Sequence, residues 1–503
     1  MGRNFLMVPG PTNVPQRVQN AMHRNSEDHR SLDFPQLGFA ALEAIKRVFQ
    51  CRQGHAFIFP GTGTLGWEAA LTNCLDPSDQ VISVRFGQFS HLWIDMMKRL
   101  GLRPIELDVE WGEGLPMDRM EDLIRNDRAH DIKAVCVVHN ETTTGVCTDI
   151  PAVRQLLDKY QHPAFLMVDG VSSIGAVPFK FDEWKIDLAV TGSQKALMLP
   201  AGLGFVCASP RALERSKTAK LPHVYMSFQD HLRSNVDGFF PYTPSVPLLY
   251  GLVEAVKMLE EEGYESVWAR HHKLAEGVRR AVRAWNLEIC CREPRLQSDT
   301  VTTVMLPPGI DGVQIVKTAF QKYNLSLGAG LMRLRGKAFR IGSLGDLNEL
   351  TMLGALAGVE MTLRDCGYRG IQDWRWRCGG RRVLPAACFA STRFHRGDCK
   401  DLSRHFICWR HFSGSKHDFV FLVDSPALDQ MRENADTPVQ RHRRWLCTRA
   451  AADGHRMVRL PCTRAVRAPP GGGPRILFTP SSSLSLWLRP LHSIHIGVYA
   501  KAS

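Results

Sequence analysis

From Phe57 to Cys207 short apolar, β-rich runs alternate with amphipathic stretches of ten to fifteen residues, and this alternation restricts the fold more than any single motif. Two parallel strands cannot be joined by a tight turn, and the intervening segments have about the dozen residues that a helical crossover needs. The candidate strands are Ala56-Phe57-Ile58-Phe59, Val81-Ile82-Ser83-Val84, Pro104-Ile105-Glu106-Leu107, Ala134-Val135-Cys136-Val137-Val138, Phe165-Leu166-Met167-Val168, Leu188-Ala189-Val190 and Gly204-Phe205-Val206-Cys207. Apolar residues at helical spacing fill the gaps, as in 65–75, 92–100 and 153–160. The pattern predicts an α/β fold with a mostly parallel sheet covered by helices. Functional groups in such folds sit beyond the carboxyl ends of the strands, so the residues after each run are the ones that matter.

A long helical pattern over 248–259 and 264–285 leads into a second region. There Val301–Met305, the helix-like 313–323 and Phe339–Gly342 predict a smaller α/β domain, closed by an apolar helix over 348–363. The expected organisation is an N-terminal arm (1–20), a large domain (21–255), a small domain (256–368) and an extension (369–503). No internal repeat is present.

The net charge of +13 suggests nucleic-acid binding until it is localised. Residues 369–503 hold 20 Arg and 3 Lys against 8 Asp and 1 Glu, a net +14, and the first 368 residues carry −1. The extension has no period of 2 or 3.6, and Pro469–Pro474 reads as linker. Phe419–Val423 is its single convincing strand, and its bias toward Arg, Cys and Trp resembles the translation of sequence not selected as protein, such as a read-through intron or shifted frame. Its densest basic cluster is Arg441-His442-Arg443-Arg444, but the extension shows no periodicity that would set basic residues and stacking aromatics on one stripe, so no nucleic-acid partner is expected. No C-x-x-C pair occurs among the 14 cysteines, and Cys290-Cys291 is merely vicinal, so buried reduced thiols are expected and no metal. No apolar run reaches the roughly 18 residues of a membrane span.

Two neighbouring runs end in chemistry. Phe165–Val168 is followed by Asp169-Gly170-Val171-Ser172-Ser173, and Leu188–Val190 by Thr191-Gly192-Ser193-Gln194-Lys195. An Asp after a strand is ordinarily a helix cap and a Lys there is ordinarily solvated. Together, an acid and an amine 26 residues apart at one sheet edge match the needs of pyridoxal 5′-phosphate. That cofactor requires an amine nucleophile to hold it and a carboxylate to keep its pyridine nitrogen protonated. At a third strand end Gly61-Thr62-Gly63-Thr64 runs into a helix beginning near Leu65, which offers unpaired N–H groups and hydroxyls to an anion or serves as a plain connector. The string His139-Asn140-Glu141-Thr142-Thr143-Thr144-Gly145 is either a cap and turn or a set of hydroxyl donors to a ligand. Arg340, between Phe339 and Ile341, must find a carboxylate, in a structural salt bridge or on a substrate.

With these residues the sequence resembles the class V, fold-type I pyridoxal-phosphate aminotransferases, in particular their plant-type serine–glyoxylate branch. The resemblance spans residues 3–368 and rests on Val8-Pro9-Gly10-Pro11-Thr12, Gly61-Thr62-Gly63, Phe86-Gly87-Gln88-Phe89-Ser90, His139–Gly145, Val168–Ser173, Thr191–Leu197, Tyr242-Thr243-Pro244-Ser245 and Phe339–Gly342. It implies that Lys195 carries the cofactor and moves the proton, that Asp169 holds the pyridinium, and that Phe89 stacks on the ring. It also implies that Thr142 and Val171 line the ring, that Thr62, Gly63 and Gln194 hold the phosphate, and that Arg340 grips the amino acid's α-carboxylate. Tyr242 and Ser245 would reach the phosphate of a neighbouring subunit, which implies a homodimer with shared sites. The implied reaction is ping-pong transfer from serine, alanine or asparagine to glyoxylate, giving glycine and a 2-oxo acid. Thr64 and Phe89 stand where the animal branch has His and Trp, which shifts the donor toward serine. The resemblance implies a peroxisomal protein imported through a C-terminal tripeptide, but this chain ends Lys501-Ala502-Ser503, and without that signal a cytoplasmic location is the expectation. Phosphoserine aminotransferases and cysteine desulfurases share the Lys and Asp logic, but the latter need a nucleophilic Cys where this chain has the loop Ser326–Gly330.

Overall fold

The computed structural model describes residues 4–25 and 27–371, together with four short strands of the extension. A seven-stranded sheet forms the centre, in the order His55–Gly61, Gly202–Ala208, Leu188–Gly192, Phe165–Asp169, Ile132–Val138, Gln80–Arg85, Arg103–Asp108. All neighbours are parallel except Gly202–Ala208, which runs antiparallel to both of its partners. Every candidate strand between Ala56 and Cys207 is therefore a strand, each extended by one to three residues. The reason is burial: Leu188–Gly192 is buried throughout and Phe165–Asp169 almost so, as a sheet covered on both faces demands.

The second sheet has five strands in the order Phe5–Met7, Leu325–Ala329, Ala338–Gly342, Val301–Met305, Glu288–Ile289. Two departures from the sequence reading appear here. Phe5–Met7, in the segment read as an arm, is an edge strand parallel to Leu325–Ala329. Ser326–Gly330, read as a loop, is mostly the strand Leu325–Ala329. Its glycine explains the misreading, because a Cβ on Gly328 would lie 3.0 Å from Cβ of Arg340 and 3.1 Å from Pro9. A strand that must pass this close to its neighbours cannot carry the bulky residues that announce strands.

The helix Phe34–Phe49, which the sequence reading left out, buries Phe34, Leu37, Ala41, Ile45, Val48 and Phe49 on one face. The chain has one large core around the seven-stranded sheet and another around the smaller sheet, with Trp285, Phe339 and Leu356 at its heart. Among the described cysteines none is in a disulfide, and Cys147 and Cys366 are half-buried while the other six are buried. No described helix is long and apolar enough to cross a membrane. In the extension Val420–Phe421 pairs with Val458–Arg459 and Ile476–Phe478 with Leu484–Leu486, so Phe419–Val423 is not its only strand segment. The basic cluster Arg441–Arg444 and the linker Pro469–Pro474 lie outside the described residues.

Candidate active site

The strands Phe165–Asp169 and Leu188–Gly192 are parallel neighbours, with Asp169 opposite Val190. Asp169 is the last residue of its strand and 4% exposed. Its Oδ1 accepts the Val171 N–H at 2.8 Å. Burial pushes this carboxyl up to about 7, aided by the nearby Glu141, while the Val171 N–H, the Trp67 indole and the Lys195 ammonium pull it down.

Lys195 emerges from the next strand and is buried. Its Nζ donates to the Pro9 carbonyl at 2.6 Å, and its own carbonyl accepts the Thr12 hydroxyl at 2.8 Å. The segment Val8–Thr12 thus lies along the lysine. Gly10 has φ +99°, and a Cβ there would fall 2.5 Å from Cδ of Lys195, so only glycine allows the approach. Burial, and after it the Arg340 charge, lower the Lys195 amine to about 8 against the opposing pull of Asp169. The three charged groups Asp169, Lys195 and Arg340 therefore share one electrostatic neighbourhood.

Arg340 sits in the strand Ala338–Gly342 and is 8% exposed. Its Nε donates to the Ala329 carbonyl at 2.9 Å and its Nη1 to the Thr142 carbonyl at 3.1 Å. No described carboxylate lies within 4.0 Å of the guanidinium, so Arg340 forms no salt bridge among the described residues. Burial lowers it to about 10, since a guanidinium without a facing carboxylate is costly in so dry a setting.

The glycine-rich connector leads into the helix Gly63–Thr72, two residues earlier than Leu65. Thr62 is its exposed N-cap and makes no side-chain cap bond, so the first N–H groups lack that partner. A Cβ on Gly63 would strike Val171 at 2.5 Å, and one on Gly192 would meet Gln194 Oε1 at 3.0 Å and Gly63 N at 3.3 Å. Thr62, Gly63, Gln194 and Val171 therefore converge, and only small residues leave the space open. Gln194 Oε1 is buried without a partner in that space; with the amide turned, Nε2 would present a donor instead.

The string His139–Gly145 is a tight turn. Its Thr144 and Gly145 N–H groups both return to the Glu141 carbonyl, at 3.2 and 2.9 Å. Thr142 donates its hydroxyl to Ser172 at 2.8 Å, and His139 is turned away against Phe179 and Trp184. Phe89 lies in the first turn of the helix Gln88–Arg99, with its N–H directed at Glu141. Tyr242 and Ser245 belong to a different cluster: Tyr242 packs on Tyr225 and His231, and Ser245 is the N-cap of the helix Val246–Glu262.

These residues fit pyridoxal phosphate: a buried amine, a buried carboxyl on the adjacent strand, and a helix N-terminus with an orphaned amide beside it. The profile of the family described as Aminotransferase class-V matches residues 5–332. This chain belongs to the class-V aminotransferase family. The class-V aminotransferase is accordingly a pyridoxal-phosphate-dependent enzyme. It is 54% identical to the serine–glyoxylate aminotransferase of Methylorubrum extorquens, over 73% of this chain and 93% of that one. It is 46% identical to the L-aspartate–glyoxylate aminotransferase of Paracoccus denitrificans, over 73% and 92%. The crystal structure of the ureidoglycine–glyoxylate aminotransferase of Bacillus subtilis superposes with a TM-score of 0.69 at 26% identity, covering 78% of this class-V aminotransferase and 99% of that chain.

Sequence reasoning missed one feature beside the candidate site of this class-V aminotransferase, the buried side chain of Glu141, which accepts N–H groups from Ser90 and Thr143 at 2.9 and 3.1 Å. The available signal was Gly87, an N-cap without a side chain, which obliges the helix to find its acceptor elsewhere.

Proposed function

We propose that the chain transfers the amino group of a small L-amino acid, serine first, to glyoxylate, giving hydroxypyruvate and glycine. The single observation that carries this is Arg340, a buried guanidinium without a described carboxylate partner, in the electrostatic neighbourhood of Lys195 and Asp169. The names of the relatives supply the acceptor, glyoxylate, and two candidate donors, serine and aspartate.

Pyridoxal phosphate, when bound, supplies a carbonyl carbon to carry the amino group and a ring that withdraws electrons. Arg340 pairs with the α-carboxylate of the amino acid and then with that of glyoxylate, so both half-reactions use one clamp. Lys195, its amine lowered to about 8, removes and returns the proton at Cα near neutral pH. Asp169 holds its negative charge against the pyridine nitrogen. Phe89 covers the ring, Thr142 and Val171 line it, and Thr62, Gly63 and Gln194 bind the phosphate. Tyr242 and Ser245 complete the phosphate site of a second copy, in a homodimer.

The test is steady-state transamination of glyoxylate with serine, aspartate, alanine and asparagine. Serine should give the highest kcat/KM. A cofactor-loaded protein that transfers from none of them would overturn the reading.

A further inference from the structure

We propose that Glu141 is a positioning residue for the carboxylate clamp: it fixes the turn whose Thr142 carbonyl aims Arg340. The inference rests on the reading of Arg340 given above.

The helix Gln88–Arg99 starts on Gly87, which has no side chain to accept its first N–H groups. Those of Phe89 and Ser90 go instead to Glu141, 52 and 51 residues away, at 3.4 and 2.9 Å. A third N–H, from Thr143, reaches Oε1 at 3.1 Å. Glu141 is completely buried, and every one of these contacts is a donor, a pattern that suits a carboxylate. The fit is tight, since a Cβ on Gly87 would lie 2.2 Å from Cδ of Glu141.

The same residue closes the turn. Its carbonyl accepts Thr144 and Gly145 N–H groups while its side chain accepts that of Thr143, so the peptide of Thr142 is held from both sides. The turn is also pinned from outside, by Gln88 N–H on Thr143 Oγ1 at 3.1 Å and by the Thr303 hydroxyl on Thr143 O at 3.0 Å. The Thr142 carbonyl receives Arg340 Nη1. With no described carboxylate in reach, the direction of the guanidinium depends on two carbonyls, and Glu141 fixes one of them. Glu141 also attracts Arg340 at longer range. A glutamine there would keep the shape, but its NH₂ group would face an N–H donor, so at least one anchor must be released.

The experiment uses the cofactor-loaded protein with Glu141→Gln and, separately, Gly87→Ala, which displaces the carboxylate without removing it. KM for serine and for glyoxylate should both rise about tenfold, the size of one charge-assisted hydrogen bond, with kcat within about threefold. Affinity for ethanolamine, which is serine without its carboxylate, read from the cofactor's visible absorbance, should stay within about twofold. Unchanged KM values in the variants, or an equal loss of ethanolamine affinity, would overturn the proposal. If Glu141→Gln does not fold, the Gly87→Ala values decide by the same criteria. A wild-type protein that binds serine no better than ethanolamine would overturn the reading of Arg340 instead, which separates the two failures.

Discussion

The Lys195 ammonium donates to the Pro9 carbonyl at 2.6 Å, so a segment near the chain's beginning covers the only buried lysine among the described residues. Burying that cation costs stability, since the amine is lowered from 10.5 to about 8. Between those values the unfolded chain binds the proton and the folded chain does not, so this contribution makes stability rise with pH across the window. Below pH 8 the penalty is complete, at most roughly 3 kcal/mol from ~1.4 kcal/mol per pK unit. Lys195→Met should abolish turnover and the cofactor's covalent visible absorbance, yet melt higher than the wild type when both lack cofactor at pH 7. The difference should shrink toward pH 10 in thermal denaturation.

Asp169 has the opposite sign. Its carboxyl is raised from 3.8 to about 7, so between those values the folded chain holds a proton that the unfolded chain has released, and its contribution to stability falls as pH rises. The pyridinium partner favours the ionised form. Affinity for pyridoxal phosphate should therefore increase as pH climbs through about 7. Asp169→Asn should flatten that profile and weaken binding about 100-fold, the cost of removing one partner of a buried charge pair. Equilibrium titration from pH 6 to 8 measures both, and an unaltered profile in the variant would refute the pairing.

Arg340→Lys keeps the charge but loses the planar fork. If the one clamp proposed above serves both carboxylates, kcat/KM for the amino donor and for glyoxylate should fall together, by about 30- to 1000-fold. A loss confined to one substrate would show that the two acids bind at different groups.

Gly10 is the residue that lets the covering segment lie along the lysine. Gly10→Ala forces a Cβ to within 2.5 Å of the Lys195 side chain at a φ of +99°. The apo protein should lose about 1–3 kcal/mol of stability, the usual cost of overpacking a filled core. Chemical denaturation reads the loss, and Gly101→Ala is the control, since that glycine also has positive φ but nothing within 4 Å.

Much of this site was legible in the sequence because the large sheet follows local rules. Asp169 and Lys195 could be placed at one edge since each follows a short buried run, and parallel neighbours end on the same side. What stayed hidden depends on distant partners. Phe5–Met7 is three residues long and pairs with residues some 320 positions away, leaving no local pattern. Leu325–Ala329 looks like a loop because close packing against Arg340 and Pro9 requires glycine. Glu141 looks like one more polar residue in a turn, and its part in the site exists only once the helix beginning at Gln88 lies against it.

The proposal of shared sites makes a prediction that no single chain can test. Tyr242 packs on Tyr225, whose hydroxyl reaches the Pro60 carbonyl at 3.4 Å, so the group of Tyr242 and Ser245 stands near the sheet edge that carries Gly61. If these side chains serve the phosphate of the other copy, Lys195→Ala chains and Tyr242→Ala/Ser245→Ala chains should each form homodimers with little or no activity. A mixed dimer would put both defects in one site and leave the other intact. Co-expression in equal amounts should then restore about a quarter of wild-type activity, since half of the dimers are mixed and each has one good site of two. Differently tagged chains allow the mixed dimer to be isolated and assayed. No restoration in that species, or full activity in the Tyr242→Ala/Ser245→Ala homodimer, would refute site sharing.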